Sequence, residues 1–188
     1  GYDTVETREP GGTPLAEKIR SLLLDRADEP VAPETEAFLV FAARRQHVAQ
    51  VIEPALARGS IVLCDRFIDS TLAYQGYARG LDIATLERLN RLATHALMPE
   101  LTLVFDLPVS TGLARRRSAA ELNRLDRESL RFHRSVRTGF LDLAKRHPTR
   151  IKVLSARASK ETVARAVARV VTPMLGHIRR GVDHNRPA

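Results

Sequence analysis

Apolar residues in this chain fall into a few short continuous runs, separated by longer stretches with helical spacing. The run from Tyr2 to Thr7 predicts a strand, and the Pro/Gly-rich stretch behind it predicts a turn. Leu15, Ile19, Leu22 and Leu23 then share one face of a helix over about Pro14 to Asp25. Proline suits the start of that helix, because its missing N–H belongs to a turn whose N–H groups have no intrahelical acceptor. Helical spacing resumes from about Pro33 to Arg58, with Pro54 kinking or restarting the helix, and Gly59 ends it. A strand over Ser60 to Asp65 follows, then helical stretches over about Ser70 to Gly76 and Asp82 to Ala96. The continuous apolar run Leu101 to Leu107 predicts a strand buried on both faces. Helices over Val109 to Arg117 and Asp126 to Arg146, a strand over Ile151 to Leu154 and a helix from Lys160 to about Ile178 complete the order. Strands alternating with helices predict an α/β fold, a parallel sheet with helices on both faces. Residues 1–180 are expected to form one domain and residues 181–188 a disordered tail.

Composition narrows the partners. With 188 residues, 44% of them hydrophobic and 28% charged, the chain has ordinary globular composition and length for one sizeable core. A formal charge of +8 concentrates anions such as phosphates near the surface. Aromatics make up only 5% and tryptophan is absent, so the stacking platforms of single-strand binders are missing and no nucleic-acid partner is expected. The lone Cys64 rules out an internal disulfide and fits a reducing compartment. No apolar run approaches the roughly twenty residues of a membrane span, and a cytoplasmic location is expected. The start at Gly1 rather than Met suggests a piece of a longer chain.

Chemistry concentrates where strands end. Asp65-Arg66-Phe67-Ile68-Asp69-Ser70 stands where the apolar strand Ile61-Val62-Leu63-Cys64 runs out, at the edge where open α/β sheets bind ligands. The planar fork of Arg66 can grip a phosphate in two places at once; the bland alternative is a surface salt bridge with Asp65 or Asp69. Thr71-Leu72-Ala73-Tyr74-Gln75-Gly76 continues that cluster, and Thr7-Arg8-Glu9-Pro10-Gly11-Gly12-Thr13 forms another behind the first strand. Arg115 to Arg117 make a basic run that also reads as a solvated helix end. The six histidines show no zinc-ligand spacing, and no protein metal cage is expected.

These three separated motifs, with Phe41-Ala42-Ala43-Arg44 between the first two, resemble the thymidylate kinases of bacterial type, from Tyr2 to about Leu175. The resemblance implies a P-loop nucleoside monophosphate kinase fold with five parallel strands, the first in sequence lying in the middle. The Gly-rich phosphate loop and that first strand are absent from the residues given. Roughly thirty further residues upstream are therefore expected, and the chain alone is expected to fold poorly. The implied reaction moves the γ-phosphate of ATP to dTMP, with Mg²⁺ arriving on ATP and a homodimer as the usual assembly. Residue by residue, the resemblance puts Asp65 near magnesium and phosphates, and Arg66 and Arg8 on the dTMP phosphate. Pro10 shapes the turn, and Arg44 reads the thymine ring. Ser70 and Thr71 face the nucleotide, Tyr74 packs against deoxyribose where a 2′-hydroxyl would clash, and Gln75 completes the wall. Val40 stands where the family has an aromatic residue stacked on the base, so either the helix is rotated slightly and Phe41 stacks in its place, or stacking is weakened by roughly 1–3 kcal/mol. Arg115, Arg117 and Arg124 match arginines of the lid over ATP, the latter two as catalytic candidates; Ala119 and Ala120 replace an Arg-Gly pair. The alternative is a kinase-like module that binds a thymidine nucleotide without phosphoryl transfer.

Overall fold

The structure, a computed structural model, describes residues 2–25, 29–117 and 122–183, the side chains of 117 and 177–183 excepted. Strand β1 (Thr4–Arg8) pairs in parallel with β2 (Ile61–Asp65), from Thr4 opposite Ile61 to Arg8 opposite Asp65. Strand β3 (Thr102–Asp106) pairs in parallel with β4 (Ile151–Ser155), so the parallel α/β arrangement is as expected. The four strands form two separate pairs, and among the described residues no strand joins them. The burial expected for the Leu101 to Leu107 run is not reached. Phe105 is 52% exposed and faces an apolar cavity of about 710 Å³, walled in part by Val163, Val167 and Val171 of the last helix, α8 (Lys160–Asp183). That helix runs beyond residue 178, and the tail from 184 onward lies outside the described residues.

Helices carry the connection between the strand pairs. Thr13 opens α1 (Pro14–Leu24) by accepting the Ala16 N–H at its hydroxyl, with proline in the first turn. Helix α2 (Pro33–His47) does not stop at Pro54. It widens into a π-helical turn (Val48–Ile52) and regains normal pitch in α3 (Glu53–Ala57), a local widening that accommodates a proline which lacks an N–H and crowds the preceding turn. Gly59, at φ 79°, then turns the chain into β2. The helix expected from Ser70 begins earlier, as α4 (Ile68–Thr71), and continues as a second π-helical turn (Leu72–Ala78). Helix α5 (Ile83–Thr94) is capped by Asp82, α6 (Val109–Arg117) follows β3, and α7 (Leu130–Arg146) starts later than expected. Leu125–Arg127 forms a separate 3₁₀ turn, and extended Glu128 and Ser129 break the helix, the Ser129 hydroxyl capping the Phe132 N–H. No helix among the described residues is long and apolar enough to cross a membrane.

The main core draws on both sides of the gap: Ala37 and Phe41 from α2, Leu72, Leu86 from α5, Leu143 and Ala144 from α7, and Ile151 from β4. One buried ion pair crosses with it. Asp69 on α4, 3% exposed, accepts Arg150 at 2.6 and 2.7 Å and the Thr102 hydroxyl at 2.8 Å, pinning the first half to the start of β3 and β4. Close approach of α7 to the second π turn depends on Gly139, where an added Cβ would sit 2.9 Å from Tyr77 Cγ. Gly139→Ala is therefore expected to lower the urea midpoint by the equivalent of about 1–3 kcal/mol without changing the slope. An unchanged midpoint would show that Tyr77 yields freely.

Candidate functional site

The chain leaves β1 through a turn bound to the end of β2, where the Glu9 N–H donates to the Asp65 carbonyl at 2.9 Å. Gly12 needs its glycine: φ is 84°, and a Cβ there would lie 2.4 Å from the His47 ring. Beside this turn, at the carboxyl ends of β1 and β2, lies a cavity of about 130 Å³. Of the residues expected to bind nucleotide, Pro10, Arg44, Arg66, Ser70, Thr71, Tyr74 and Gln75 line it. Arg8 and Phe41 do not. Arg8 is exposed and paired with Glu17 at 3.1 Å. The Gly12 N–H and then Arg8 hold the Glu17 carboxyl below the usual carboxylate range. Phe41 corrects the stacking expectation: it is packed in the main core, and Val40, one residue earlier, lines the cavity. The helix keeps its register, with Val40 on the face of Arg44 and Phe41 about 100° away.

Arg44 builds the floor. It is 2% exposed, and its Nε donates to Glu9 at 2.7 Å while Nη1 donates to Thr71 at 2.9 Å and to Asn90 on α5. Its guanidinium lies 5.8 Å from the Phe41 ring centroid and 5.4 Å from that of Phe67. The other Glu9 oxygen meets His47 Nδ1 at 3.0 Å, and His47 Nε2 meets the Thr7 hydroxyl at 2.7 Å. Much of Arg44 is thus committed to the protein, and its first service to the cavity is as a frame.

The rim is cationic. Arg66 holds a left-handed backbone, φ 65°, and its guanidinium packs 5.0 Å from the Tyr74 ring centroid. No salt bridge engages Arg66 among the described residues: Asp69 is committed to Arg150, and Asp65 is exposed at the strand end. Arg20, on the face of α1 that buries Ala16 and Leu23, lines the same cavity and donates to the Pro10 carbonyl at 2.8 Å. Burial, then the charge of Arg8, and more weakly that of Arg66, pull Arg20 below its ordinary value. Burial pulls Arg66 down, but Tyr74 and then Asp65 and Asp126 outweigh it and raise the guanidinium above its ordinary value. The π turn adds Tyr74, edge-on to Phe132 at 6.0 Å and to Phe140 at 6.4 Å, and Gln75.

The opposite wall comes from Asn123, Leu125 and Asp126, with His133 of α7, whose Nε2 is buried without a hydrogen-bond partner among the described residues. Arg124, expected over ATP, is turned inward instead: it donates to the Leu23 carbonyl at 2.9 Å and to Glu36 at 2.7 Å. The buried carboxylate outcompetes an exposed position for its charge. Arg115 lies elsewhere, exposed on α6 and bonded to the Ala156 carbonyl at 3.1 Å, so the structure does not bring these two lid residues together. The Arg117 side chain, Ala119 and Ala120 lie outside the described residues. Burial pushes the Glu36 carboxyl up, but hydrogen bonds from Arg79, Arg124 and Gln75 outweigh it and leave its pKa below the ordinary value. Sequence reasoning missed Arg20, Glu36 and His133. For Glu36 a signal existed: residues 36, 40 and 44 recur at helical spacing on one face of α2.

The family model described as Thymidylate kinase matches residues 1–167. The chain belongs to the thymidylate kinase family. It is similar to a protein named thymidylate kinase from Pseudomonas putida, 51% identical over 179 residues, covering 95% of this chain and 86% of that one. A thymidylate kinase from Thermomicrobium roseum is 54% identical over 181 residues, covering 96% and 85%. The crystal structure of thymidylate kinase from Ehrlichia chaffeensis superposes with a TM-score of 0.73 at 34% identity, covering 90% of this chain and 80% of that chain. The fold is therefore that of the thymidylate kinases, P-loop nucleoside monophosphate kinase-like, and the cavity belongs to a kinase scaffold.

Two measurements follow from the buried charges. Arg44→Met leaves the Glu9 carboxylate without its guanidinium partner, and is expected to cost about 3–5 kcal/mol in urea unfolding, partly recovered by adding Glu9→Gln. A wild-type midpoint for the single variant would show that Arg44 does not frame the floor. Because the folded pKa of Glu36 is depressed, its contribution is complete above the unfolded glutamate value, about 4.3, and is lost as pH falls through the lower folded value. The stability gap between wild type and Glu36→Gln should accordingly be constant near neutrality and close only on acidification below about pH 4.

Proposed function

We propose that the chain transfers the γ-phosphate of ATP to dTMP, giving dTDP, by in-line displacement without a covalent enzyme intermediate, in the cytoplasm. The observation that carries this reading is the guanidinium of Arg66 at the end of β2, engaged in no salt bridge among the described residues, beside Arg20 at the rim of a cavity with a polar floor. Such a rim suits a phosphomonoester, since a planar guanidinium offers paired donors to phosphate oxygens. The relatives' name supplies the acceptor, and the walls agree with it. Thr71 and Gln75, both buried, give hydrogen-bonding groups, Val40 gives apolar contact for a pyrimidine face, and Tyr74, against the Arg66 guanidinium, gives a ring for the sugar. The relatives reported above carry the kinase name, and nothing in them favours a binding module without phosphoryl transfer.

Binding, orientation and charge neutralisation are what these residues contribute. Arg66, with Arg20 and Arg8 behind it, holds the acceptor phosphate and offsets its charge while the floor fixes the base. Asp65, exposed at the strand end, fits a role beside Mg²⁺, held mainly by phosphate and water oxygens. When bound, that ion neutralises charge on the transferring phosphate. A homodimer is part of the proposal, with Phe38 of α2, 63% exposed, and Leu22 of α1, 65% exposed, as apolar surface available for it.

The test is dTMP-dependent ATP consumption by the intact protein, together with dTMP titration calorimetry on wild type and Arg66→Ala. Turnover with dTMP above that with UMP and dCMP is expected, and the variant should lose dTMP affinity by at least tenfold while keeping its fold. Unchanged dTMP affinity in folded Arg66→Ala would remove Arg66 from the phosphate site.

A further inference from the structure

Glu36 stands out because one buried acid serves two opposite walls of the cavity. Its side chain is 1% exposed, and its two oxygens accept four hydrogen bonds, the capacity of a carboxylate. Oε1 takes the Gln75 amide at 2.8 Å and Arg79 Nε at 3.3 Å; Oε2 takes Arg79 at 3.1 Å and Arg124 at 2.7 Å. Arg79 also holds Glu128 at 2.6 Å, and the Arg124 N–H donates to the Leu24 carbonyl at 2.9 Å. The segment carrying Asn123, Leu125 and Asp126 is thereby tied to α1 and α2 at several points, with Glu36 as the shared anchor. Two acids and two guanidiniums balance, so taking one charge away leaves a partly buried cation uncompensated.

We propose that Glu36 is a positioning residue for nucleotide recognition: it orients the Gln75 amide and, through Arg124, holds the 122–128 segment as the facing wall, so that one carboxylate sets the width and the polarity of the pocket. This rests on the reading of the cavity as a nucleotide site. An ionised carboxylate only accepts, so Gln75 must turn its NH₂ toward Glu36, which leaves the amide carbonyl for a ligand. A carbonyl there suits the N3–H of thymine and opposes the bare N3 of cytosine. Glutamine at position 36 would present an NH₂ group of its own, leaving either Gln75 or Arg124 facing a donor. The Gln75 amide would then be free to flip.

The experiment uses the intact protein and three variants: Glu36→Gln, Arg124→Met and the double variant. Hydrogen exchange of 122–128 and calorimetric affinities for dTMP and dCMP are measured on each. Glu36→Gln is expected to speed exchange in 122–128, to weaken dTMP about tenfold or more, and to narrow the preference for dTMP over dCMP. A purely structural role would not alter that preference. Arg124→Met should speed the same exchange while keeping the preference, and should add less than threefold to the loss in the double variant. Wild-type exchange and preference in folded Glu36→Gln, or additive losses, would overturn the proposal. If Glu36→Gln does not fold, Arg124→Met decides: unaltered exchange of 122–128 overturns the tie, and faster exchange supports it. Should wild type bind no dTMP while exchange still depends on Glu36 and Arg124, the tie stands and the functional reading fails.

Discussion

A single buried guanidinium sets the geometry on which the site depends. Arg44 reaches from α2 to the turn after β1, to the junction of α4 with its π turn, and to α5, and it lies between two phenylalanine rings. All of those elements except α5 supply a wall or a rim of the cavity. A charge so deeply buried persists only because Glu9 compensates it and His47 holds Glu9 in turn. Polar groups this costly to bury give little net stability; what they fix is where each loop must end.

The rest of the molecule follows from how two strand pairs with no common strand are kept in register. Side-by-side backbone pairing is absent between them among the described residues, so side chains carry the load: the shared core from Ala37 to Ile151, the Asp69–Arg150 pair, and the close packing of α7 on the second π turn. The same π turn that mates with α7 carries Tyr74, packed against Phe132 and Phe140 of α7, and Gln75 into the cavity wall. Cavity wall and structural seam are therefore one stretch of chain, and it is there that helical pitch is surrendered.

The order of strands and helices was legible from apolar runs and Gly/Pro punctuation, because short parallel strands are nearly continuous in hydrophobicity and helices are amphipathic. Most of the expected nucleotide residues converged on one cavity for the same reason: strand ends and the helix starts behind them are local features. What was illegible depends on distance in sequence. The roles of Arg124 and Glu36 come from a contact between residues far apart in the chain, and no local pattern reveals that a basic residue will turn inward to a buried acid. Helical periodicity already put Val40 on the face of Arg44, and a stacking Phe41 required a rotation of the helix that does not occur. The break before α7 hung on one serine hydroxyl, a competitor to helix continuation that propensity alone underrates.

Arg66 also bears on how this protein could be re-engineered. A non-glycine residue at φ 65° costs on the order of 1 kcal/mol, a strain that Gly or Asn would relieve. Selection for heat resistance alone would favour such replacements, while the phosphate grip proposed for Arg66 would forbid them. Position 66 is thus a place where a thermostability screen, run without an activity filter, would drift away from function.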